Sequence, residues 1–186
     1  MFVENEFYRI RISEDKTFTL DSVDNKPYDC IINPSGMRRE DHVKALSITI
    51  DSRDKQKRIA LLGSLFGTDE DVALLESNEL IVLMNTKITV ISCQSLSVSL
   101  SKSIAEYGAY FSIHRFDNGF VINGELEVLK LSSEFNRQWS FTGSDIFVTR
   151  DGSSPFRIAN NLIHLSDWSG RHYVIDRHGR ELTDDS

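Results

Sequence analysis

The chain has 186 residues, of which 40% are hydrophobic and 26% are charged, and its formal net charge is −7. This composition is typical of a globular protein with a buried core, and it excludes a disordered or collagen-like chain. Because nucleic-acid affinity depends on neutralising phosphates, an acidic chain without a basic stripe is expected to have no nucleic-acid partner.

Cysteine usage and apolar runs bear on the cellular compartment. Cys30 and Cys93 belong to no metal or redox spacing, which favours a reducing compartment, and the sequence leaves open whether they lie close together. Residues 1–6 carry acids where a signal peptide would carry basic residues. The longest apolar run, residues 80–84, is far shorter than the ~20 residues of a membrane span. We therefore expect a cytoplasmic protein without a membrane partner.

The first 70 residues are expected to form strands in a less regular arrangement. Apolar residues alternate in residues 8–12 and 46–50, as they do in strands with one buried face. Residues 58–64 can pair back onto residues 45–52. Two short stretches, residues 35–45 and 101–107, are weak helix candidates, the first with Ser35 as its N-cap.

Residues 71–186 contain three copies of a strand-rich repeat. Polar breaks at residues 77–78, 85–86, 117–119 and 123–124 predict tight hairpin turns, because Asn and Gly tolerate the positive φ that such turns require. The strand-prone runs are 72–76, 79–84 and 87–92 in the first copy, 110–116, 120–122 and 125–131 in the second, and 156–159, 162–166 and 171–176 in the third.

The spacing of the copies indicates a known type of repeat. The first break of each copy falls at Asn78, Asn118 and Asn161, and these residues are 40 and 43 positions apart, the length of a four-stranded propeller blade. Residues 129–139 and 174–182 each give an apolar strand, a polar turn and a resumed strand. Residues 72–182 thus resemble the blade-like repeats of quinoprotein-type and WD-like β-propellers, where a strand ending in Asp precedes a Gly turn. The resemblance implies architecture only.

The predicted fold is all-β, an antiparallel meander of β-hairpins that is propeller-like or barrel-like, with at most one or two short helices. A β-sandwich is the alternative. Three repeats cannot close a propeller ring, so either the N-terminal strands supply a fourth blade or the meanders pack as two sheets. We expect a single domain over residues 1–186, with a less regular part at 1–70 and the three repeats at 71–186.

Possible metal ligands are dense in the third copy. They are His164, Asp167, His172, Asp176 and His178. If the chain turns within residues 167–170, strand pairing places His164 and His172 on opposite faces. His172 and Asp176 share a face but lie ~13 Å apart along the strand. Zinc needs donors that converge at about 2 Å, so no metal site is expected.

One pair of carboxylates could support catalysis. Glu125 and Glu127 are two residues apart in a predicted strand, which places them side by side at ~7 Å, the separation of an inverting glycosidase pair. Paired glutamates on the wet face of a strand are far commoner than such a catalytic pair. We therefore predict no catalytic residues and no cofactor.

Aromatic residues indicate a binding role instead. Trp168 lies in a predicted turn, where a large ring is partly exposed, and exposed aromatics beside charges are typical anchors of interfaces. The predicted interface comprises Trp168, Tyr173, Asp167, Glu125 and Glu127. The function predicted is non-catalytic binding of a protein, for example by an immunity or antitoxin-type inhibitor that covers a basic nuclease toxin. The alternatives are a small-molecule or carbohydrate-binding module or cryptic hydrolase, and a subunit of a larger β assembly of unknown oligomeric state.

Overall fold

The structure is a computed structural model that describes residues 1–65 and 71–182. Within these residues sixteen strands form four sheets and there is no helix, so the all-β prediction is confirmed. Each of the four sheets is open, which leaves the propeller-like and sandwich forms of the predicted meander. No helix in this part of the chain could serve as a membrane span.

The chain divides into two compact units, Met1–Ser103 and Ile104–Ser186. The prediction of one domain over residues 1–186 stays a prediction. The first unit begins with a five-stranded sheet in the order β1-β2-β4-β5-β3, in which β3 and β5 are parallel and the other pairs are antiparallel. Its strands are β1 (Phe2–Glu4), β2 (Tyr8–Glu14), β3 (Cys30–Ile32), β4 (Lys44–Ser52) and β5 (Gln56–Gly63).

The second sheet of the first unit is a four-stranded meander. Its strands are β6 (Ala73–Glu76), β7 (Glu79–Met84), β8 (Lys87–Ser92) and β9 (Val98–Ser103). The turns predicted at residues 77–78 and 85–86 are confirmed, and Ser77 and Asn85 have the positive φ that they require. Apolar side chains of both sheets, among them Ile48 and Leu80, pack into one buried cluster with Cys93, and Cys30 lies against it.

The second unit contains a four-stranded meander and a three-stranded one. The strands are β10 (Tyr110–Phe116), β11 (Gly119–Gly124), β12 (Val128–Ser132) and β13 (Arg137–Phe141), followed by β14 (Phe156–Ala159), β15 (Leu162–Ser166) and β16 (His172–Ile175). Side chains from both sheets, including Val121, Phe156 and Ile163, share a core with Phe147. The two-residue turn at 160–161 is as predicted, with positive φ at Asn160 and Asn161.

The two helix predictions are wrong. In the stretch 35–45, Gly36 has a left-handed φ of 61°, and the Asn33 side chain bonds both the N–H and the C=O of Met37, which closes a turn instead of a helix. At the second stretch, residues 101–103 belong to β9, where Thr89 pairs with Ser101 in the sheet ladder. Tertiary pairing therefore overrides a weak local preference for helix.

The pairing of β15 with β16 corrects the predicted register. Ser166 pairs with His172, and His164 with Val174, so His164 and His172 share one face of the sheet. The prediction of opposite faces is wrong because five residues, rather than two or four, separate the paired ends. The turn closes through a bond of 3.0 Å from Asp167 N to Arg171 O and a left-handed Gly170.

A buried carboxylate organises the polar interior of the first unit. Asp15 accepts hydrogen bonds from the hydroxyls of Tyr28 (2.6 Å) and Thr17 (2.8 Å), and it pairs with Lys26 at 3.0 Å. Burial alone would raise the pKa of Asp15, but the bonds from Tyr28, Thr17 and Lys26 outweigh it and lower the pKa to about 2. The ionised form of Asp15 therefore stabilises the folded unit.

Acid is expected to remove this contribution. Because the pKa of Asp15 is lower in the folded chain than in the unfolded chain, its stabilisation is complete above pH 4 and is lost as the pH falls towards 2. Urea unfolding is followed by far-UV circular dichroism. The free energy of unfolding of the wild type should exceed that of Asp15→Asn by an amount that shrinks by about 2 kcal/mol across that range. The exposed Asp54→Asn variant serves as the control. An advantage over Asp15→Asn that does not change with pH would contradict the assignment.

Candidate functional site

Four of the five predicted interface residues lie in a set of loops of the second unit that hydrogen bonds join, and the fifth, Tyr173, lies in β16. The turn between β11 and β12 contains Glu125, and the turn between β15 and β16 contains Trp168. The segment that follows β13 connects them, because Phe147 N donates to Glu125 O at 2.7 Å and Trp168 N donates to Ile146 O at 2.8 Å. A bond of 2.8 Å from Glu125 N to Ala109 O adds the approach to β10. We call residues 106–109, 125–127, 142–150 and 167–171 the loop surface.

Three large hydrophobic side chains are exposed on the loop surface. The exposed fraction is 81% for Tyr107, 58% for Leu126 and 43% for Trp168. Soluble proteins expose single hydrophobic residues often, but three on segments joined by backbone hydrogen bonds are typical of a contact surface. Of these three residues, only Trp168 was predicted from the sequence to be exposed. Leu126 was missed because it was assigned to a strand, and Tyr107 because it was assigned to a helix.

Arg150 holds Trp168 in place. Its Nε donates to the carbonyl oxygen of Trp168 at 3.1 Å, and its guanidinium lies 5.5 Å from the centre of the indole ring. This combination of a hydrogen bond and a cation–π contact restricts the ring while one side of it stays accessible. A restricted aromatic ring loses less conformational entropy when it enters an interface.

The side chains of Asp167 and Tyr173 are buried rather than exposed. Asp167 is only 2% exposed, and its carboxylate accepts bonds from the Tyr173 hydroxyl (2.6 Å), Ser144 Oγ (3.0 Å), Ser169 Oγ (2.6 Å) and Arg171 N (2.9 Å). Burial alone would raise the pKa of Asp167, but these bonds lower it well below its usual range. The two residues therefore fix the turn that presents Trp168, and a direct role for them in an interface stays a prediction.

Glu125 and Glu127 are not neighbours in a strand, which corrects the sequence-based assignment. They lie in the turn between β11 and β12, which closes through a bond of 3.0 Å from Gly124 N to Glu127 O. Asn123 and Gly124 continue β11 instead of forming the turn. A Cβ on Gly124 would lie 2.7 Å from the Tyr110 ring, so this glycine permits the close approach of a neighbouring side chain.

The carboxylate of Glu127 already has two partners. It accepts a hydrogen bond from the Tyr110 hydroxyl at 2.6 Å and pairs with Arg137 at 2.8 Å. Burial and the bond to Glu127 raise the pKa of Tyr110 well above its usual range, which keeps its hydroxyl protonated. Glu127 therefore anchors its turn to β10 and β13.

The arrangement offers binding groups more readily than catalytic ones. Ser144 is hydrogen bonded to Tyr173 and Asp167, but a carboxylate with a lowered pKa is a weak base for activating a hydroxyl. Within residues 1–65 and 71–182, no group of three or more His, Cys, Asp or Glu side chains could hold a metal ion. The exposed charged residues of the loop surface are the acids Glu106 and Asp145 and the bases Arg150 and Arg171.

Comparison with known proteins identifies no relative by sequence. No protein-family model and no curated protein matches the chain. A solved structure, "KlHsv2 with loop 6CD replaced by a Gly-Ser linker", is similar with 13% identity and a TM-score of 0.43. The alignment covers 75% of this chain and 46% of that chain, so the chain spans about half the length of that structure. Of the predicted resemblance to propeller blades, the strands and sheets of the chain itself confirm only an all-β architecture of several sheets.

Proposed function

We propose that the loop surface binds a basic protein partner and that the chain acts by binding rather than by catalysis. The observation that supports this proposal is the joining of Tyr107, Leu126 and Trp168, all exposed, by backbone hydrogen bonds between their segments. Large apolar and aromatic side chains contribute most of the binding energy at protein interfaces. Because the turn that carries Trp168 is fixed from below by Asp167, little ordering is required on binding.

Charge supports the choice of a basic partner. The chain carries a net charge of −7, although the loop surface itself contains both acids, such as Glu106 and Asp145, and the bases Arg150 and Arg171. A negative net charge accelerates association with a basic protein and disfavours acidic ones. In the specific form of the proposal, the chain is an immunity or antitoxin-type inhibitor that covers the basic active site of a nuclease toxin. The geometry gives less support to a hydrolase, because the Glu127 carboxylate is engaged by Tyr110 and Arg137.

A double substitution tests the loop surface as the binding site. Affinity-tagged Leu126→Ser/Trp168→Ser is expected to retain at least ten-fold less partner at low salt from the native lysate than the wild type, because two anchors are lost. Quantitative mass spectrometry measures the retention. The matched control is Val23→Ser, which removes a side chain that is 96% exposed in the first unit. The Val23→Ser variant should retain the partner as the wild type does. The retained protein should be basic and should be released by salt.

Two results would contradict the proposal. One is equal retention by the double variant and the wild type, which would place the binding site elsewhere. The other is the absence of any specifically retained basic protein at low salt.

A further inference from the structure

The sheet formed by β14, β15 and β16 has an inner apolar face and an outer polar face. The buried side chains of the inner face are Phe156, Ile163, Leu165, Tyr173 and Ile175. Arg157 pairs with His164, and Ser166 pairs with His172 in the next row, so all four of these side chains alternate onto the outer face. The corrected register thus brings one arginine and two histidines together.

A cavity of about 320 Å³ lies against this outer face. Its polar lining comes from Ser154, Arg157, His164, Ser166 and His172, and none of the described residues that line it is acidic. This composition contrasts with the net charge of −7 of the whole chain. The volume falls within the range of small-molecule sites, although at its lower end. The cavity therefore combines hydrogen-bond donors and positive charge with space for a small ligand.

We propose that this cavity binds the phosphate group of a small phosphate monoester. A guanidinium donates two parallel hydrogen bonds to a phosphate, and imidazole groups supply further donors. Cross-strand partners such as Arg157 and His164 lie about 5 Å apart at Cβ, and diagonal neighbours such as His164 and His172 about 7 Å apart, so His164 lies between Arg157 on β14 and His172 on β16. The remaining volume accommodates the organic group of the ester.

Ser166 orients one of the imidazoles. Its Oγ lies 2.8 Å from Nδ1 of His172, so the Nε2 edge of that ring is directed away from Ser166. Fixing one nitrogen of an imidazole selects which nitrogen faces a ligand. The proposed site is separate from the loop surface in its residues and in the charge of its ligand, so its test is independent of the partner experiment.

Histidine side-chain NMR spectra of the whole chain test the proposal. The chain contains five histidines, and inorganic phosphate or phenyl phosphate, added at constant ionic strength, should shift the imidazole signals of His164 and His172 in a saturable way. The signals of His42 and His178, which do not line the cavity, should not move. Phenyl phosphate is expected to bind more tightly than inorganic phosphate because the cavity accommodates its organic group.

Two variants assign the site to Arg157. Arg157→Gln is expected to weaken phenyl phosphate binding at least ten-fold, whereas Arg180→Gln, an equal change of charge at an exposed residue of the same unit, should leave it unchanged. Equal loss in both variants, or the same shifts with chloride at matched ionic strength, would overturn the site. Tighter binding of inorganic phosphate than of phenyl phosphate would overturn the assignment to a monoester. The wild-type histidine shifts test the site even if a variant fails to fold.

Discussion

Replacing Gly119 with alanine is expected to destabilise the second unit by roughly 3 kcal/mol or more. A Cβ at this position would lie 2.2 Å from the backbone oxygen of Leu131 and 2.8 Å from Nζ of Lys130. The oxygen cannot move away easily, because Gly119 and Phe120 pair with Ser132 and Leu131 in the ladder of β11 and β12. The substitution therefore forces two paired strands apart.

Displacement of Lys130 adds to this cost. Its ammonium group is buried and donates to the carbonyl oxygens of Phe116 (2.9 Å) and Leu131 (3.0 Å). Burial lowers the pKa of Lys130 because it disfavours the charged form of the amine. Moving the amine away from them leaves a buried charge without compensation.

Urea unfolding followed by tryptophan fluorescence measures the effect, since both tryptophans of the chain, Trp139 and Trp168, lie in the second unit. The control is Gly152→Ala in the same unit, where a Cβ would meet no atom within 4 Å and only the left-handed φ of 75° opposes it. The Gly152→Ala substitution should lower the free energy of unfolding by about 1 kcal/mol. Equal losses for the two substitutions would contradict the steric account of Gly119.

Asp167→Ala is expected to lower the Tm by roughly 10 °C and to reduce retention of the partner, although Trp168 itself is unchanged. The substitution removes the acceptor of bonds from Tyr173, Ser144, Ser169 and the backbone of Arg171. Buried donors without an acceptor destabilise the fold, and the turn that carries Trp168 loses its support. Differential scanning calorimetry and the retention assay at a temperature well below the Tm measure the two effects.

Asp176→Ala is the matched control for Asp167→Ala. Asp176 caps a turn of the same form, in which its Oδ1 accepts from Arg180 N at 2.9 Å and from His178 N at 2.8 Å. These donors are backbone groups of exposed residues, so water can replace the lost acceptor. A smaller fall in Tm and unchanged retention are expected. A loss of retention equal to that of Asp167→Ala would contradict the supporting role assigned to Asp167.

The sequence predicted the turns that depend on local chemistry. At residues 77–78 and 160–161, a two-residue polar break between apolar runs is sufficient to predict the turn. The positive φ of Ser77, Asn160 and Asn161 is a property of the turn itself. The pair Asn123 and Gly124 has the strongest hairpin signal and yet lies in β11. The packing of the Tyr110 ring explains this glycine, and no local pattern reveals such a contact.

Register was the harder feature to predict. Residues 167–171 and 176–180 share the pattern Asp-x-x-Gly-Arg, and in both the Asp side chain caps the Arg N–H while Gly170 or Gly179 is left-handed. This five-residue pattern changes the parity of the paired strands and moves His164 to the face of His172. If only two- or four-residue loops between β15 and β16 are considered, His164 and His172 are placed on opposite faces of the sheet.

Four residues of the predicted interface, Trp168, Asp167, Glu125 and Glu127, lie in the loop surface, but its exposed residues Leu126 and Tyr107 were not predicted. Trp168 was predictable because a large ring in a turn is partly exposed. Leu126 and Tyr107 join it only through the bonds of Glu125 to Ala109 and to Phe147, which link residues distant in sequence. Asp167 is buried and its carboxylate accepts hydrogen bonds from four donors, and its contact with a partner stays a prediction.

The most direct measurement of the central claim is the ratio of partner retained by Leu126→Ser/Trp168→Ser to that retained by Val23→Ser from the same lysate. Both variants remove exposed hydrophobic side chains. A general effect of such a loss on solubility or folding therefore lowers the amount of partner that both variants retain. Binding through the loop surface predicts a ratio below one-tenth, with a basic protein as the retained species. A ratio near one would contradict the assignment of the loop surface as the binding site.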